Sequence, residues 1–387
     1  MRVVQAVWGA FHHFDLAREL DRRGHLERIY STYPWFRLKR EGLPHSKVET
    51  FAWLQMAQHA ATRYSEWAAL QFGQANIILF DKWLDRHIPH SGIDALIALS
   101  GAGLQTGKRL QKEGGIFFCD RGSTHLRYQE SLLKEEYMRW GVELHSSKTL
   151  DAVYSREVKM YEAVDAITVP STFAARSFIE EGVAKEKIHV IPYGVRLEKF
   201  QPAAQPASEN FEVLFVGQIS LRKGIPYLLQ AFAAFQHPRK RLRLIGSVHS
   251  NMDHVLARLP QERVEFLGPQ PQSEVARYMS SSQVMVLPSI EEGLALVQGQ
   301  AMACGCPVIA STNSGSEDLF TNGVEGFIVP IRDVNALRDR LQQLAEDRPL
   351  QARMREAALN RVQNLGGWRD YGDRWVTLLE TLLRRDR

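Results

Sequence analysis

The chain has 387 residues, more than a single hydrophobic core usually organises, so its length predicts two domains. Its composition, 44% hydrophobic and 24% charged, is that of an ordinary soluble globular protein, and no apolar run approaches the ~18 residues that span a bilayer. Three cysteines (Cys119, Cys304 and Cys306) exclude a disulfide framework and favour a reducing compartment. The net charge of +4 suits an anionic small molecule or an acidic lipid surface, and without a nucleic-acid-binding motif we expect no nucleic acid partner.

Apolar runs alternate with amphipathic stretches along the chain, which predicts βα repeats and parallel sheets. The predicted strands of the first half are Val3–Trp8, Ala95–Leu99, Ile116–Cys119, Ala166–Val169 and Ile188–Ile191. Phe200–Glu209 has the composition of a linker. The predicted strands beyond it are Val213–Val216, Leu242–Ile245, Val264–Leu267, Val284–Leu287, Val308–Ala310 and Phe327–Val329. We therefore predict two α/β domains, residues 1–200 and 201–367, and then an amphipathic helix from Trp368.

The stretch Tyr33–Leu79 fits this pattern least well. It opens with Tyr33-Pro-Trp-Phe-Arg-Leu-Lys-Arg40 and continues with helix-like sequence containing Trp53, Tyr64 and Trp67. Aromatic side chains mixed with cations suit a membrane interface. Because no long basic amphipathic helix is visible, we favour a helical excursion that packs on the first sheet, and we leave a peripheral membrane contact open.

Polar residues follow the first predicted strand, in the loop Trp8–Asp15. Gly9 would allow another backbone or a ligand to approach closely. His12 and His13 are candidate functional residues, although paired histidines in a loop are as often ordinary surface residues.

A second polar loop, Cys119–His125, follows another strand of the first domain and carries Asp120, Arg121, Ser123 and His125. We favour a functional role for His125 over the alternative, a histidine that caps the helix Leu126–Trp140. A Ser-His-Asp hydrolase triad is disfavoured because residues this close in sequence rarely reach that geometry.

Glycines after the strand Ala95–Leu99 supply a rival interpretation. The run Gly101-Ala-Gly-Leu-Gln-Thr-Gly107, with Asp120 at the end of the next strand, approaches a dinucleotide-binding fingerprint. An NAD(P)-dependent oxidoreductase is therefore an alternative enzyme class. It is disfavoured because the run lies in mid-domain, and because it leaves the motifs of the second domain unexplained.

The first strand of the second domain runs into Val216-Gly-Gln-Ile-Ser-Leu-Arg-Lys-Gly224. A glycine turn followed by a helix, Pro226–Phe235, places Lys223 near a strand's carboxyl end. A fixed cation there would neutralise the negative charge of a diphosphate.

The most informative stretch is Pro288–Ala310, which predicts a loop, a helix and a strand after Val284–Leu287. The free N–H groups at the helix start favour an anion such as phosphate. The carboxylate of Glu292, beside these N–H groups, would accept hydrogen bonds from neutral hydroxyl groups. Phosphate together with a sugar indicates a sugar nucleotide.

This stretch resembles the signature of retaining GT-B glycosyltransferases of family 4, Glu-x7-Glu followed by Ala-Met-Ala-x-Gly-x-Pro-Val. The chain has Glu292, Gly293 and Ala301-Met-Ala-Cys-Gly-Cys-Pro-Val308, but Gln300 stands where the second glutamate is expected.

A second family pattern, Gly-Arg-x4-Lys-Gly, is matched at Lys223, while Gln218 replaces the arginine and Arg222 is a candidate substitute. Further segments that match the family are interpreted as hinges and turns: Ser171, Pro192–Val195 and Ser314–Glu317.

The resemblance implies two Rossmann-like domains that face each other across a cleft, with residues 368–387 crossing back to the first domain. It implies transfer of a sugar, with retention, from a nucleoside-diphosphate sugar to a hydroxyl of a glycan or glycolipid. The implied catalytic residues are His125, Lys223 and Glu292. The implied donor-binding residues are Gly9, Gln218, Arg222, Gly293, Leu294, Ala295, Leu296 and Gln300. The implied acceptor-binding residues are His12 and His13.

No Asp-x-Asp motif is present, and Cys304 and Cys306 lack partners for a zinc site, so we expect neither a metal ion nor a cofactor. Because Gln218 and Gln300 replace charged residues, a degenerate binding or scaffold subunit stays the main alternative to an enzyme. We expect a cytoplasmic location, with contact to the inner face of the membrane left open.

Overall fold

The computed structural model describes residues 1–53, 56–57, 66–143, 148–195, 197–207 and 209–385. The strands of the first domain are β1 Val3–Val7, β2 Leu26–Ser31, β3 Val48–Thr50, β4 Ala95–Leu99, β5 Ile116–Asp120, β6 Ala166–Val169 and β7 Ile188–Val190. Its helices are α1 His13–Arg22, α2 Trp35–Leu38, α3 Glu66–His87, α4 Leu104–Lys112, α5 Leu126–Arg139, α6 Lys148–Ala163 and α7 Thr172–Glu180.

The second half repeats the alternation of strands and helices. Its strands are β8 Phe211–Val216, β9 Lys240–Ile245, β10 Val264–Gly268, β11 Val284–Leu287, β12 Val308–Ser311 and β13 Gly326–Val329. Its helices are α8 Ile225–Ala234, α9 Asp253–Leu256, α10 Gln272–Ser281, α11 Leu296–Ala303, α12 Val334–Glu346, α13 Arg348–Leu365 and α14 Trp368–Arg385.

The strands form two parallel sheets, in the orders β3-β2-β1-β4-β5-β6-β7 and β10-β9-β8-β11-β12-β13. The predicted α/β class with two Rossmann-like sheets is confirmed. The strand order reverses between β1 and β4 in the first sheet and between β8 and β11 in the second. Ligands bind at such points, outside the carboxyl ends of the strands. The loops after β1, β8 and β11 that carry the predicted motifs all start there.

Two strands of the first sheet were not predicted from the sequence. Strand β2 includes Glu27 and Arg28, so its apolar pattern is interrupted, and β3 has only three residues. Both lie toward one edge of the sheet, where charged side chains reach solvent; Arg28 Nη1, for example, bonds Glu49 Oε2 at 2.5 Å.

The aromatic and basic stretch after β2 forms the short helix α2 rather than a long amphipathic one. Trp35 packs on His45 at 4.6 Å between ring centroids, whereas Phe36 is 63% exposed. Tyr64 and the side chain of Trp67 lie outside the described residues. Among the residues described, none of the helices combines the length and apolar character needed to cross a membrane.

Helix α14 returns from the second half of the chain and packs against α1 of the first domain. Trp375 is fully buried on it, with its ring 5.7 Å from that of Phe118 in β5. The helix starts against Gly194, where an added Cβ would lie 2.4 Å from the backbone nitrogen of Trp368.

We predict that Gly194→Ala lowers the free energy of unfolding by at least about 2 kcal/mol, because a methyl group would push the start of α14 away from the chain beneath it. Urea denaturation measures the change. Gly367→Ala is the matched control, since the nearest atom to its added Cβ is 3.8 Å away. Equal stability of the two variants would contradict this account of how α14 docks.

Candidate active site

Loops from the two domains touch where the predicted motifs lie. An added Cβ on Gly293, after β11, would lie 2.3 Å from the carbonyl oxygen of Gly122 and 2.7 Å from Cα of Ser123, both after β5. Ser171 Oγ, also from the first domain, donates a 2.5 Å hydrogen bond to the carbonyl of Gly293. The two backbones come this close only because position 293 has no side chain.

Lys223 and Glu292 form an ion pair between the loops after β8 and β11. Their side chains are 16% and 19% exposed, so the pair is partly desolvated yet still accessible. Gly224 makes the pairing feasible: its φ is +68°, and an added Cβ would lie 2.0 Å from the carbonyl oxygen of Pro288. The structure thus brings together two of the three residues predicted to be catalytic.

The segment from Gly293 to Leu296 leads from this ion pair into helix α11. Ala295 occupies the N-cap position and supplies no side-chain hydrogen bond to the first turn, although its own N–H contacts the carbonyl of Ser314 at 3.5 Å. The uncapped N–H groups and the helix dipole attract anions. The peptide groups of Gly293, Leu294, Ala295 and Leu296 directly follow Glu292 along the chain, and their predicted role in donor binding stays a prediction.

A cavity of about 300 Å³ lies between the domains. The first domain contributes Phe11, His12, Asp15, Gly194, Val195 and Phe200. The other lining residues are Gln272, Leu296, Gln300 and Trp368. One predicted acceptor residue, His12, therefore shares a cavity with two predicted donor residues, Leu296 and Gln300.

His12 and His13 have different environments. His12 Nε2 lies 2.7 Å from Asp120 Oδ2, and His13 Nε2 lies 3.4 Å from the same oxygen. Burial, with a smaller contribution from the charge of His12, lowers the pKa of His13 to about 3, so its ring is neutral at physiological pH. The His13 side chain is fully buried here, and its predicted contact with an acceptor stays a prediction.

Among the described residues, His12, His13 and Asp120 form the one cluster with several metal-binding atoms close together, within 4.8 Å of one another. Two ligands about 2.1 Å from a tetrahedral zinc ion are about 3.4 Å apart. The 2.7 Å between His12 and Asp120 is shorter than that and fits a direct hydrogen bond. We therefore describe these two residues as a hydrogen-bonded dyad.

Gly9 and Gln218 lie on the loops after β1 and β8. Gly9 has φ +77°, its N–H donates to Thr32 Oγ1 at 3.0 Å, and its carbonyl accepts from Ser31 Oγ at 2.6 Å. These bonds fix the loop that leads to His12. Gln218 is exposed on the loop of Lys223. Their predicted roles in donor binding stay predictions.

Two family models match consecutive parts of the chain: "Glycosyltransferase Family 4" over residues 10–199 and "Glycosyl transferases group 1" over residues 198–361. The chain belongs to glycosyltransferase family 4. This assignment removes the oxidoreductase alternative.

Curated relatives of this family 4 chain include D-inositol 3-phosphate glycosyltransferases. The protein from Kribbella flavida is 30% identical over 233 residues, 54% of this chain and 55% of the relative. That from Pseudarthrobacter chlorophenolicus is 29% identical over 264 residues, 59% of this chain and 63% of the relative. The match thus spans less than two thirds of the length of these curated relatives.

Solved structures share the whole fold at low sequence identity. A sucrose-phosphate synthase from Thermosynechococcus elongatus superposes with a TM-score of 0.71 at 20% identity, over 100% of both chains. HepE from Anabaena, in complex with UDP and glucose, gives 0.70 at 17% identity, over 98% of this chain and 100% of that one. These similarities confirm the GT-B architecture.

The structure explains the glycines of the run Gly101–Gly107, which suggested an oxidoreductase. Gly103, with φ +68°, is the N-cap of α4, and an added Cβ on Gly107 would lie 2.3 Å from the ring of Phe117. These are positions of close packing between helix and strand. Asp120, the acidic residue of that fingerprint, is buried and bonded to His12 and to Thr168 Oγ1 at 2.8 Å.

His125 is the third residue predicted to be catalytic, and the structure does not bring it to Lys223 and Glu292. Its Nδ1 accepts from the N–H of Arg127 at 3.3 Å, so it caps α5, which was the alternative reading. Its ring packs on Tyr161 and Phe178, at 4.9 and 5.0 Å. Burial lowers the pKa of His125 to about 4, aided by nearby arginines. A contact between His125 and the sugar stays a prediction.

Glu291 is a site residue that the sequence analysis missed. Its fully buried carboxylate accepts hydrogen bonds of 2.7 Å from Ser123 Oγ and Thr124 Oγ1 and one of 2.6 Å from Gln129 Nε2, all in the first domain. Arg222, in the second domain, bonds the same carboxylate at 2.9 and 3.0 Å. Glu291 therefore joins the two domains beneath the ion pair.

The contacts of Arg222 bear on its predicted role in donor binding. Its Nε and one terminal nitrogen both bond Glu291, and the latter also lies 3.3 Å from Ser123 Oγ. The guanidinium therefore bonds at the domain junction, while its side chain is 37% exposed. Its role as a substitute for the family arginine stays a prediction.

A second buried carboxylate, Glu136 of α5, also joins the domains. It accepts from Tyr227 Oη at 2.8 Å and pairs with Arg332 at 2.7 Å, both residues of the second domain. Trp140 Nε1 donates to it from the first domain at 2.9 Å. The cleft is therefore fixed at two separate points.

We predict that Glu291→Gln lowers the free energy of unfolding at pH 7 by about 2 kcal/mol, because charge-assisted hydrogen bonds are lost at a buried site. Burial acts to raise the pKa of Glu291, but Arg222 and the bonds from Ser123, Thr124 and Gln129 outweigh it, so its pKa lies below the ordinary value. A depressed folded-state pKa stabilises the fold above about pH 4.3, and this contribution is lost as pH falls further.

The difference between wild type and Glu291→Gln should therefore shrink in urea denaturation series run below that pH. Glu317→Gln is the control, because its 2.7 Å pair with Arg176 also crosses the domains but its two side chains are 40% and 47% exposed. We expect a change within about 1 kcal/mol for it. A pH-independent difference for Glu291→Gln would contradict the role assigned to its charge.

Proposed function

We propose that this protein is a retaining hexosyltransferase that moves a sugar from a nucleoside-diphosphate sugar to a hydroxyl of a glycan or glycolipid, without a metal ion. The observation that carries the proposal is the Lys223–Glu292 pair beside the N-terminus of α11, where the loops of both domains meet. A cation and free N–H groups stabilise a leaving diphosphate, and a carboxylate accepts hydrogen bonds from sugar hydroxyls.

An exchange of partners would connect this pair to the reaction. A bound diphosphate can replace Glu292 as the counter-ion of Lys223, which frees the carboxylate for the sugar. As the bond from the anomeric carbon to the diphosphate oxygen breaks, negative charge develops on that oxygen. We assign the stabilisation of this charge to Lys223 and the peptide groups of Gly293–Leu296.

The names of similar proteins suggest where to look for substrates. HepE was solved with UDP-glucose, WaaG is described as involved in lipopolysaccharide biosynthesis, and the curated relatives glycosylate D-inositol 3-phosphate. UDP-glucose is therefore the first donor to test, and a cell-surface glycan or glycolipid is the acceptor class we favour. An acceptor of that kind would be met at the cytoplasmic face of the membrane, where the Tyr33–Arg40 stretch is the candidate contact.

We predict that Lys223→Ala and Glu292→Ala each reduce transfer at least about 100-fold, because the developing charge loses its counter-charge or the sugar loses its acceptor. Release of nucleoside diphosphate from UDP-glucose, UDP-N-acetylglucosamine, ADP-glucose and GDP-mannose, with EDTA present, measures the effect. Lys223→Arg, which keeps the charge, should retain part of the activity. NMR of the product's anomeric proton tests retention.

Wild-type turnover of one donor in EDTA supports the enzyme assignment and its metal independence. If wild type neither binds nor consumes any of these donors, the result supports the alternative that the protein is a degenerate binding or scaffold subunit. Full activity of Lys223→Ala would overturn the proposed mechanism.

We predict that Gln300→Glu strengthens nucleotide binding several-fold, because a carboxylate accepts hydrogen bonds from ribose hydroxyls more strongly than an amide does. Calorimetric titration with UDP measures the affinity. Gln272→Glu, the same chemical change on the same cavity wall, is the control and should give no gain. Equal effects of the two variants would contradict a specific ribose contact at position 300.

A further inference from the structure

Phe11 is an exposed aromatic residue in a strained backbone conformation. It is 66% exposed, and its φ of +33° lies in the left-handed region, which bulky residues rarely adopt. A glycine at this position would relieve the strain, and a polar side chain would leave less apolar surface in water. Phenylalanine is therefore unfavourable for the fold on both counts. Strained residues of this kind cluster at ligand sites, where the surrounding structure imposes the conformation.

The residues on either side of Phe11 fix the loop that carries it. Gly9 is hydrogen-bonded through both its N–H and its carbonyl to side chains at the end of β2. His12 Nε2 lies 2.7 Å from Asp120 Oδ2, at the end of β5. The carbonyl of Phe11 accepts a hydrogen bond of 3.4 Å from the N–H of Phe14, in the first turn of α1. These anchored neighbours hold the backbone of Phe11 in its strained conformation.

The ring of Phe11 is open to a ligand. It lines the cavity of about 300 Å³ between the domains, together with Leu296 and Gln300 of α11. Among the described residues, no other aromatic ring packs on that of Phe11. A cavity of this size suits one small molecule, and an aromatic ring at its edge suits stacking on a flat part of that molecule.

The charges around the cavity indicate which part of a nucleotide sugar enters it. The described residues that line it include neither lysine nor arginine, whereas Lys223, beside the start of α11, is the cation assigned to the diphosphate. Gln300, assigned above to the ribose, lies about one turn of α11 beyond Leu296. A donor with its diphosphate at the start of α11 and its ribose at Gln300 therefore has its uncharged nucleoside in the cavity.

We propose that Phe11 is the stacking platform for the nucleobase of the donor, supplied by the first domain to a nucleotide that the second domain holds. The inference rests on the glycosyl transfer proposed above. Every base has a π-face, so this contact contributes affinity with little dependence on which base the donor carries. The nucleotide contacts both domains, because Phe11 belongs to one and Gln300 to the other.

Substitutions at Phe11 test this role, by calorimetric titration with whichever of UDP, GDP, ADP, CDP and dTDP wild type binds most tightly. We expect Phe11→Ala to weaken binding at least about fivefold, because the stacking contact is lost. Phe11→Tyr keeps an aromatic ring and should stay within about twofold of wild type. Met138→Ala is the control and should leave the affinity unchanged, since Met138 is an apolar residue of the same domain that is 64% exposed on α5.

Phe11→Gly separates a role in binding from a role in the fold. It removes the backbone strain together with the ring, so its midpoint of urea unfolding should lie above that of Phe11→Ala while its nucleotide affinity is equally low. A midpoint below that of Phe11→Ala would contradict the strain assigned to Phe11.

Two results would overturn the proposal and leave the glycosyl transfer standing. One is unchanged nucleotide affinity in Phe11→Ala. The other is an equal loss of affinity in Phe11→Ala and Phe11→Tyr, because the conformation of the loop, and not the ring, would then be what the nucleotide needs. A wild-type protein that binds none of the five nucleotides would overturn the glycosyl transfer itself, and this inference with it.

Discussion

The carboxylate of Glu291 has no contact with water, and its need for partners constrains how the two domains are arranged. A buried charge is costly unless hydrogen bonds and an opposite charge replace its hydration. Here the hydrogen bonds come from Ser123, Thr124 and Gln129 of one domain and the opposite charge from Arg222 of the other. Separating the domains would remove three of these partners at once, so the chemistry of this one group favours a closed cleft.

Neighbouring residues of the loops after β8 and β11 have different roles, one structural and one proposed to be functional. Arg222 pairs with Glu291, and the next residues along each loop, Lys223 and Glu292, pair with each other. The first pair contains a fully buried carboxylate that holds the domains, whereas the second is partly exposed beside the start of α11. The pair proposed for chemistry is therefore supported by its structural neighbour.

Most of the sheet architecture was predictable, because buried parallel strands such as β4, β5, β8 and β11 are continuous apolar runs. Residues adjacent in sequence were harder to distinguish. His12 lines the cavity while His13 is buried, and Glu292 meets Lys223 while Glu291 crosses the junction. Successive residues point in different directions, and the sequence does not say which direction faces the cleft. Partners such as Asp120 for His12, distant along the chain, depend on the register of β1, β4 and β5.

The path of α14 has a consequence for the order in which the protein assembles. Trp375 supplies part of the wall against which Phe118 packs, yet it lies near the carboxyl end of the chain. During synthesis the first domain emerges long before the residues that complete it. Its apolar surface around α1 and β5 stays uncovered until the second domain has been made. The domain that is translated first is thus the one whose core is finished last.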